Sequence, residues 1–261
     1  MVTAVPDVLA RIVEHKHTEL PALEQDRELF LKQAEQWRHD RRDFAKALRS
    51  YPPAIISEIK KASPSKGLLC KDFDPPRIAR QYEKGGAAAL SVLTDEHFFQ
   101  GSRGDLIKAR ANTGIPVLRK DFTFAEIHIH QAAAMCADAI LLIAAILRTE
   151  EMRRFRELAA GYGIASLVEV HDAAELERAI DSGAEIIGVN NRNLHNFEVR
   201  LETSLQLAER MPAHVIRVSE SGIHSAADVR LLGQAGYHAF LVGEHLMTSP
   251  DPTEALISLR V

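Results

Sequence analysis

Four apolar runs in this chain end in side chains that can move protons or hold anions. The first closes as Ile55-Ile-Ser-Glu58-Ile-Lys60. Because strand side chains alternate, Glu58 and Lys60 share one face while Ile59 takes the other. The others read Val117-Leu-Arg-Lys120-Asp121, Leu167-Val-Glu169-Val and Gly188-Val-Asn190-Asn-Arg192. Among them, Lys60, Lys120, Glu58, Glu169, Asn190 and Arg192 offer two lysines, two carboxylates, an amide and a guanidinium. Taken singly, a lysine at a strand end usually just meets solvent, and Glu58 with Lys60 also fits a structural ion pair. It is their convergence that points to chemistry, because lysines and carboxylates confined together shift one another's pKa toward acid–base duty.

Two further runs end in glycine, Ser219-Glu220-Ser221-Gly222-Ile223 and Gly243-Glu244-His245-Leu246. Glycine there lets backbone N–H groups approach an anion, and a short helix after Gly243 would aim its N-terminus at it. Either loop alone says little. Both on the last two runs point to a phosphorylated substrate. Glu244 is an awkward neighbour for a dianion unless its side chain turns away.

The elements that must position these groups follow from hydrophobic patterning. Eight apolar runs alternate with amphipathic stretches: Ile55–Ile59, Ala88–Leu93, Pro116–Leu118, Ala139–Ile143, Ser166–Val170, Ile186–Val189, Val215–Val218 and Ala239–Val242. Most are nearly continuous, as strands covered on both faces require. Eight strands in about 206 residues give about 26 residues per unit, close to the repeat of a TIM barrel. Asp74-Pro75, the capping-box pattern Asp172-Ala-Ala-Glu175 and Asp251-Pro252-Thr253-Glu254 mark helix starts. In the helix after the fifth strand, Leu176, Ala179 and Ile180 give one face to lay on the sheet. An echo before alternate strands, near Gly86, Cys136, Gly183 and Gly236, recurs at intervals of 50, 47 and 53 residues. Such a two-unit period suits a barrel with alternating side-chain layers. The rival open doubly wound sheet usually announces a GxGxxG turn after its first strand, and none is present.

The expected architecture is therefore an α/β fold, a single (β/α)8 TIM barrel over residues 55–261, preceded by a helical extension over residues 1–54. In the extension, Leu9, Ile12, Val13 and Lys16 suggest a first amphipathic helix, and Leu29 through Leu48 one or two more. Its apolar periodicity argues for docking, with the extension capping a barrel mouth. In this fold the C-terminal strand ends face the active site, which is where the polar groups above fall.

Composition narrows the function classes. The chain has 261 residues, 46% hydrophobic and 26% charged, with a net charge of −4, so no general attraction to nucleic acid is expected. Arg38, Arg41 and Arg42 are interrupted by Asp40 and Asp43 and read as a solvated helix face. Cys70 and Cys136 sit in no metal-type spacing, and the expected compartment is the reducing cytoplasm. The opening Met1-Val-Thr-Ala-Val-Pro-Asp lacks an apolar signal core, and no run of about eighteen apolar residues reads as a membrane span. The expected partner is a small phosphorylated substrate, with the chain a monomer or weak homodimer.

The first-strand segment Ile-Ser-Glu58-Ile-Lys60-Lys-Ala-Ser63-Pro64-Ser65-Lys-Gly67 closely resembles the signature of indole-3-glycerol phosphate synthases. The resemblance continues through Ser91-Val-Leu-Thr-Asp-Glu-His-Phe-Phe99-Gln-Gly101, Leu118-Arg-Lys120-Asp121-Phe122 and Leu167-Val-Glu169-Val-His171. It also takes in Gly188-Val-Asn190-Asn-Arg192-Asn-Leu194 and Ser219-Glu220-Ser221-Gly222-Ile223, covering nearly the whole chain. It implies ring closure of 1-(2-carboxyphenylamino)-1-deoxyribulose 5-phosphate to indole-3-glycerol phosphate, carbon dioxide and water, without metal or organic cofactor.

The resemblance also implies roles. Lys120 is the general acid toward the ribulose carbonyl, and Glu169 the base or proton relay of the dehydration. Lys60 lies near the substrate carboxylate and phosphate and shares the acid role, while Glu58 orients Lys60 and Lys120. Asn190, Arg192, Glu220 and Ser221 resemble residues that hold the sugar hydroxyls and carboxylate, and Ser63 lines the anthranilate end. The backbone of Gly222, Gly243 and Glu244 takes the phosphate. Phe99 and Phe122 pack on the aromatic ring or simply in the core.

Two departures from the family pattern stand out. Glu244 and His245 follow the glycine of strand eight, where many members carry serine or alanine. Thr123-Phe-Ala-Glu-Ile-His128-Ile-His130 replaces the usual Asp-Pro-Tyr-Gln start, and the two histidines read as surface or interface residues rather than metal ligands. Two rival functions remain at this level. A Schiff-base aldolase or isomerase of sugar phosphates would use a barrel lysine as nucleophile. A binding or scaffold protein would use none of these acids and bases.

Overall fold

The computed structural model describes residues 7–50 and 52–260. The opening segment Met1 to Pro6, read above for a signal core, lies outside the described residues. Eight parallel strands close into a barrel: β1 (Ala54–Ile59), β2 (Ala89–Leu93), β3 (Val117–Lys120), β4 (Ala139–Ile143), β5 (Ala165–Val170), β6 (Ile186–Asn190), β7 (Ile216–Glu220) and β8 (Ala239–Val242). Neighbours pair in chain order, and β8 closes on β1 through Ala54 opposite Ala239 and Ser57 opposite Val242. All eight expected strands are present. Three of them run farther than their apolar residues, to Lys120, Asn190 and Glu220, so these polar side chains belong to the sheet itself.

Around the barrel lie α4 (Pro75–Lys84), α5 (Arg103–Ala111), α6 (Glu126–Ala134), α7 (Thr149–Gly161), α8 (Ala173–Asp181), α9 (Glu202–Ala208), α10 (Ala226–Gln234), α11 (Glu244–Met247) and α12 (Pro252–Leu259). Asp74 and Asp251 cap α4 and α12 through their carboxylates, as their sequences require. At α8 the expected capping box is only half made. Asp172 accepts the Glu175 backbone N–H at 2.8 Å, but the Glu175 carboxylate accepts instead from the backbone and ring of His171, one residue farther back. That deviation matters at the site.

Period-two alternation sorts the strand side chains into two layers. One face packs outward under the helices. The other fills the barrel with Ile56, Leu118, Leu141, Leu167, Val218 and Leu241. Two residues farther along four of these strands, on the same face, stand Glu58, Lys120, Glu169 and Glu220. The apolar plug is thus the floor on which the ionisable groups rest.

The N-terminal extension is three helices, α1 (Asp7–Gln25), α2 (Arg27–Gln36) and α3 (Phe44–Ser50). It does more than cap one mouth. Val8, Leu9 and Ile12 of α1 line the cavity at the C-terminal ends of the strands. Phe44 and Leu48 of α3 close the other end against Ala54, Ala89, Ala139 and Ala239, where small residues leave them room. Arg42, expected on a solvated face, is half-buried beneath that end, with its backbone N–H on Asp138 and its guanidinium on the carbonyls of Ile115 and Arg110. Arg41 likewise bonds the Ala133 and Tyr162 carbonyls, which leaves Arg38 as the exposed member of that run.

His128 and His130 are not surface residues. His128 is 2% exposed, its ring edge-on to Phe124, and burial beside Arg119 pushes its pKa down to about 3. His130 Nδ1 lies 2.9 Å from the Tyr162 hydroxyl. An α6 wedged between barrel and α2 has little outer face to offer. Cys70 and Cys136 are free thiols, and among the described residues no helix is long and apolar enough to cross a membrane.

Candidate active site

A cavity of about 520 Å³ opens at the C-terminal ends of the strands. Its lining includes every residue singled out from the sequence: Glu58, Lys60, Ser63, Phe99, Lys120, Phe122, Glu169, Asn190, Arg192, Glu220, Ser221, Gly222, Gly243 and Glu244. Apolar walls come from Leu93 of β2, Phe122 beyond β3, Leu141 and Ile143 of β4, and α1. The rings of Phe99 and Phe122 lie 6.2 Å apart. Ser221, Gly222, Gly243 and Glu244, after β7 and β8, stand across the closed barrel from β3 and β4.

Lys120 is the hub. Its ammonium donates to Glu169 Oε2 at 2.9 Å and to Glu220 Oε2 at 3.1 Å. Burial alone would lower its pKa, but the charges of Glu169, Glu220 and Glu58 outweigh that and hold it above the usual lysine value. Glu169 would likewise rise on burial, yet Lys120 and His171 hold it well below the ordinary carboxylate range. Glu220 is the opposite case. It shares Lys120 with a neighbour that pairs better, so burial and the repulsion of Glu169 and Glu58 push it up to about 7. Its Oε1 finds no hydrogen-bond partner. Asn190 Nδ2 donates to Glu169 Oε1 at 3.2 Å, while its own carbonyl oxygen accepts the Arg192 backbone N–H at 3.0 Å.

Glu58 and Lys60 pair directly through Oε1 and Nζ. Glu58 makes no ion pair with Lys120 and reaches it through its field alone. Two missing side chains make room for these carboxylates. A Cβ on Gly243 would lie 2.3 Å from Glu58 Oε1, and one on Gly188 would lie 2.1 Å from Glu220 Oε1. Beyond β7 the chain turns through two left-handed residues, Ser221 at φ 68° and Gly222 at φ 79°. The short α11 starts directly after Gly243, in the position foreseen for an anion-facing helix. Glu244 turns toward Lys66 at 3.4 Å and Arg192 at 3.7 Å, which offsets its charge beside the expected phosphate.

Three contributors went unassigned in the sequence. Asn191 is buried behind the cavity, donating to Ser219 Oγ and the Ser221 carbonyl and accepting from Ser204, which fixes the turn after β7. Lys16 of α1 is 4% exposed and pairs with Asp121 at 3.0 Å and Asp95 at 3.5 Å, tying the extension to the ends of β2 and β3. Its place on the apolar stripe of α1 was the available signal. His171 touches Glu169 from outside the cavity. Among the described residues no group of three or more His, Cys, Asp or Glu is arranged to hold a metal ion.

Comparison with known proteins separates fold from family. The thiamine phosphate pyrophosphorylase from Pyrococcus furiosus superposes with a TM-score of 0.61 at 17% identity, covering 80% of this chain and 94% of that one. It shares the fold. The family model described as indole-3-glycerol phosphate synthase matches residues 9–259. The indole-3-glycerol phosphate synthase of Variovorax paradoxus (strain S110) is 47% identical over 269 residues, covering 98% of this chain and 99% of that protein. That of Chromobacterium violaceum is 48% identical over 258 residues, with 97% of each chain covered. On the strength of these matches along its whole barrel and extension, the chain belongs to the indole-3-glycerol phosphate synthase family.

Proposed function

We infer that the chain converts 1-(2-carboxyphenylamino)-1-deoxyribulose 5-phosphate to indole-3-glycerol phosphate, carbon dioxide and water, as a carboxy-lyase of tryptophan biosynthesis. The observation that carries this reading is Lys120, a buried ammonium shared by two carboxylates on the floor of a cavity that is apolar on one side and glycine-rich on the other. Lys120 protonates the ribulose carbonyl as the carboxylate-bearing aromatic carbon attacks it, and loss of carbon dioxide restores the ring. Dehydration then needs a proton for the departing hydroxyl and a base for the adjacent carbon. Glu169 is that base. Once Lys120 has given up its proton, Glu169 loses its strongest counter-charge and becomes more basic, so the first step prepares the second.

Lys60 and Arg192 face the substrate's anionic groups, with Ser221 and the backbone of Gly222, Gly243 and Glu244 around the phosphate. Ser63, Phe99 and Phe122 border the anthranilate ring. Glu58 holds Lys60 in place and Glu220 steadies Lys120. No step is assigned to a metal or organic cofactor, since an ammonium and a carboxylate supply the acid and the base. The free thiols support a reducing cytoplasm.

The Schiff-base alternative requires a neutral amine as nucleophile. Glu169, Glu220 and Glu58 keep Lys120 charged, which disfavours it. The test is Lys120→Met and Glu169→Gln beside the parent, with borohydride added during turnover. Each variant should lose about 100-fold to 10,000-fold in kcat, in keeping with general acid–base contributions, and no lysine adduct should form. Variants as active as the parent, or a trapped adduct on Lys120 or Lys60, would overturn the assignment.

A further inference from the structure

Asp95 and Asp121 stand just beyond β2 and β3, both buried, and each holds the backbone of a phenylalanine that lines the cavity. Asp95 Oδ1 accepts the N–H groups of Phe98 at 2.7 Å and Phe99 at 3.2 Å. Asp121 Oδ1 accepts the Phe122 N–H at 2.8 Å. The Phe99 and Phe122 rings, tilted 38° to each other, thus hang from two turns that are each anchored on a buried carboxylate.

Those carboxylates need countering. Asp121 Oδ2 accepts from Thr94 Oγ1 and pairs with Arg119 at 2.9 Å. Asp95 Oδ2 makes no hydrogen bond. Lys16 Nζ lies 3.5 Å from that oxygen and 3.0 Å from Asp121 Oδ1, so one ammonium spans both turns. Without it, two buried carboxylates would share a single guanidinium, and their repulsion would act on the ends of adjacent strands. Burial would lower the pKa of Lys16, but the charge of Asp121, helped by Glu19 and Asp95, outweighs it and keeps the ammonium charged. Rings make a second tie to the same turn: His15 of α1 stacks on His97 at 4.1 Å and meets Phe98 edge-on at 5.6 Å.

Building on the function inferred above, we propose that Lys16 is a positioning residue for the aromatic part of the substrate. By holding Asp95 and Asp121 together, it fixes the two turns that place Phe99 and Phe122 against the ring. Lys16 does not itself line the cavity, so it acts only through these partners. Its effect is therefore selective. The phosphate end of the cavity is built after β7 and β8, across the barrel, from groups that make no bond to this cluster.

The test is direct binding, by titration calorimetry, of indole-3-glycerol phosphate, which carries the ring, and ribulose 5-phosphate, which lacks it. Lys16→Met should bind the first about 3-fold to 10-fold more weakly, the scale of a displaced aromatic contact, and the second within about twofold of the parent. With the full substrate, KM should rise by a larger factor than kcat falls. Adding Asp95→Asn to Lys16→Met removes the unbalanced charge and leaves an amide oxygen for the Phe98 and Phe99 N–H groups. That double variant should recover the parent's affinity for the ring-bearing ligand to within about twofold. Equal weakening of both ligands, no weakening of either, or a double variant as weak as Lys16→Met would overturn the proposal and leave Lys16 a tie for α1 alone. If Lys16→Met does not fold, Lys16→Gln, which keeps an N–H donor without the charge, takes its place in the same comparison. Parent turnover, measured in parallel, tests the underlying function separately: an active parent whose variants show no ring-selective loss counts against the role of Lys16 only.

Discussion

Glu220 shows how closely the site depends on an absent side chain. Its Oε1 occupies the space a Cβ on Gly188 would fill, and Leu167 Cδ1 bounds the same space at 3.2 Å. Gly188→Ala must therefore displace a carboxylate that is 1% exposed and bonded to Lys120. We expect kcat to fall by up to about 100-fold, the scale of a misplaced catalytic group, with a smaller change in KM. Kinetics on the purified variant check this, and a parent-like kcat would show that Glu220 does not position Lys120. His171 makes a different prediction, about stability. Its folded pKa of about 10 lies above the ordinary histidine value of 6.5, so its stabilisation is fully present below pH 6.5 and is lost as pH rises through about 10. Denaturant titrations of parent and His171→Asn should differ most below pH 6.5 and converge toward pH 10. Buried His128 has the reverse sign. With its pKa pushed down to about 3, it favours folding above pH 6.5 and costs stability as the pH falls from 6.5 toward 3.

At the scale of elements, α1 is held to the barrel by both an apolar stripe and a buried charge. Leu9, Ile12 and Lys16 lie on one face, and Lys16 reaches two aspartates at the ends of β2 and β3. Lys16→Met would leave Asp95 without its counter-charge and Asp121 with Arg119 alone, a loss on the order of 3–5 kcal/mol for a broken buried pair. Because Val8, Leu9 and Ile12 form part of the cavity wall, KM should rise with it. Chemical denaturation and steady-state kinetics on the same preparation check both. The sequence made the strands legible because apolar runs covered on two faces stand out from amphipathic helices, and the floor of ionisable groups followed from period two. Partnerships across elements were not legible. Glu175 reads as the third position of a capping box until α8 is seen to bring it under His171. His128 and His130 read as surface residues because nothing local shows that α2 covers α6.

At the scale of the whole molecule, the echo every two units has a physical cause other than layering. Gly86, Cys136, Gly183 and Gly236 each follow the end of a helix and each has a positive φ, from 61° at Cys136 to 92° at Gly236. These are left-handed helix terminators, where glycine costs least, and Cys136 takes the same conformation without being glycine. They return the chain to the start of the next strand, so that polar residues at the strand ends gather in one cavity. On the function inferred above, this cavity performs a decarboxylative ring closure with its own acids and bases. The measurement that tests it most directly is turnover of 1-(2-carboxyphenylamino)-1-deoxyribulose 5-phosphate by the parent in chelator-treated buffer, following indole absorbance and released carbon dioxide together. Both signals should rise in equal amounts; a folded protein that binds the substrate and releases neither product would contradict the account.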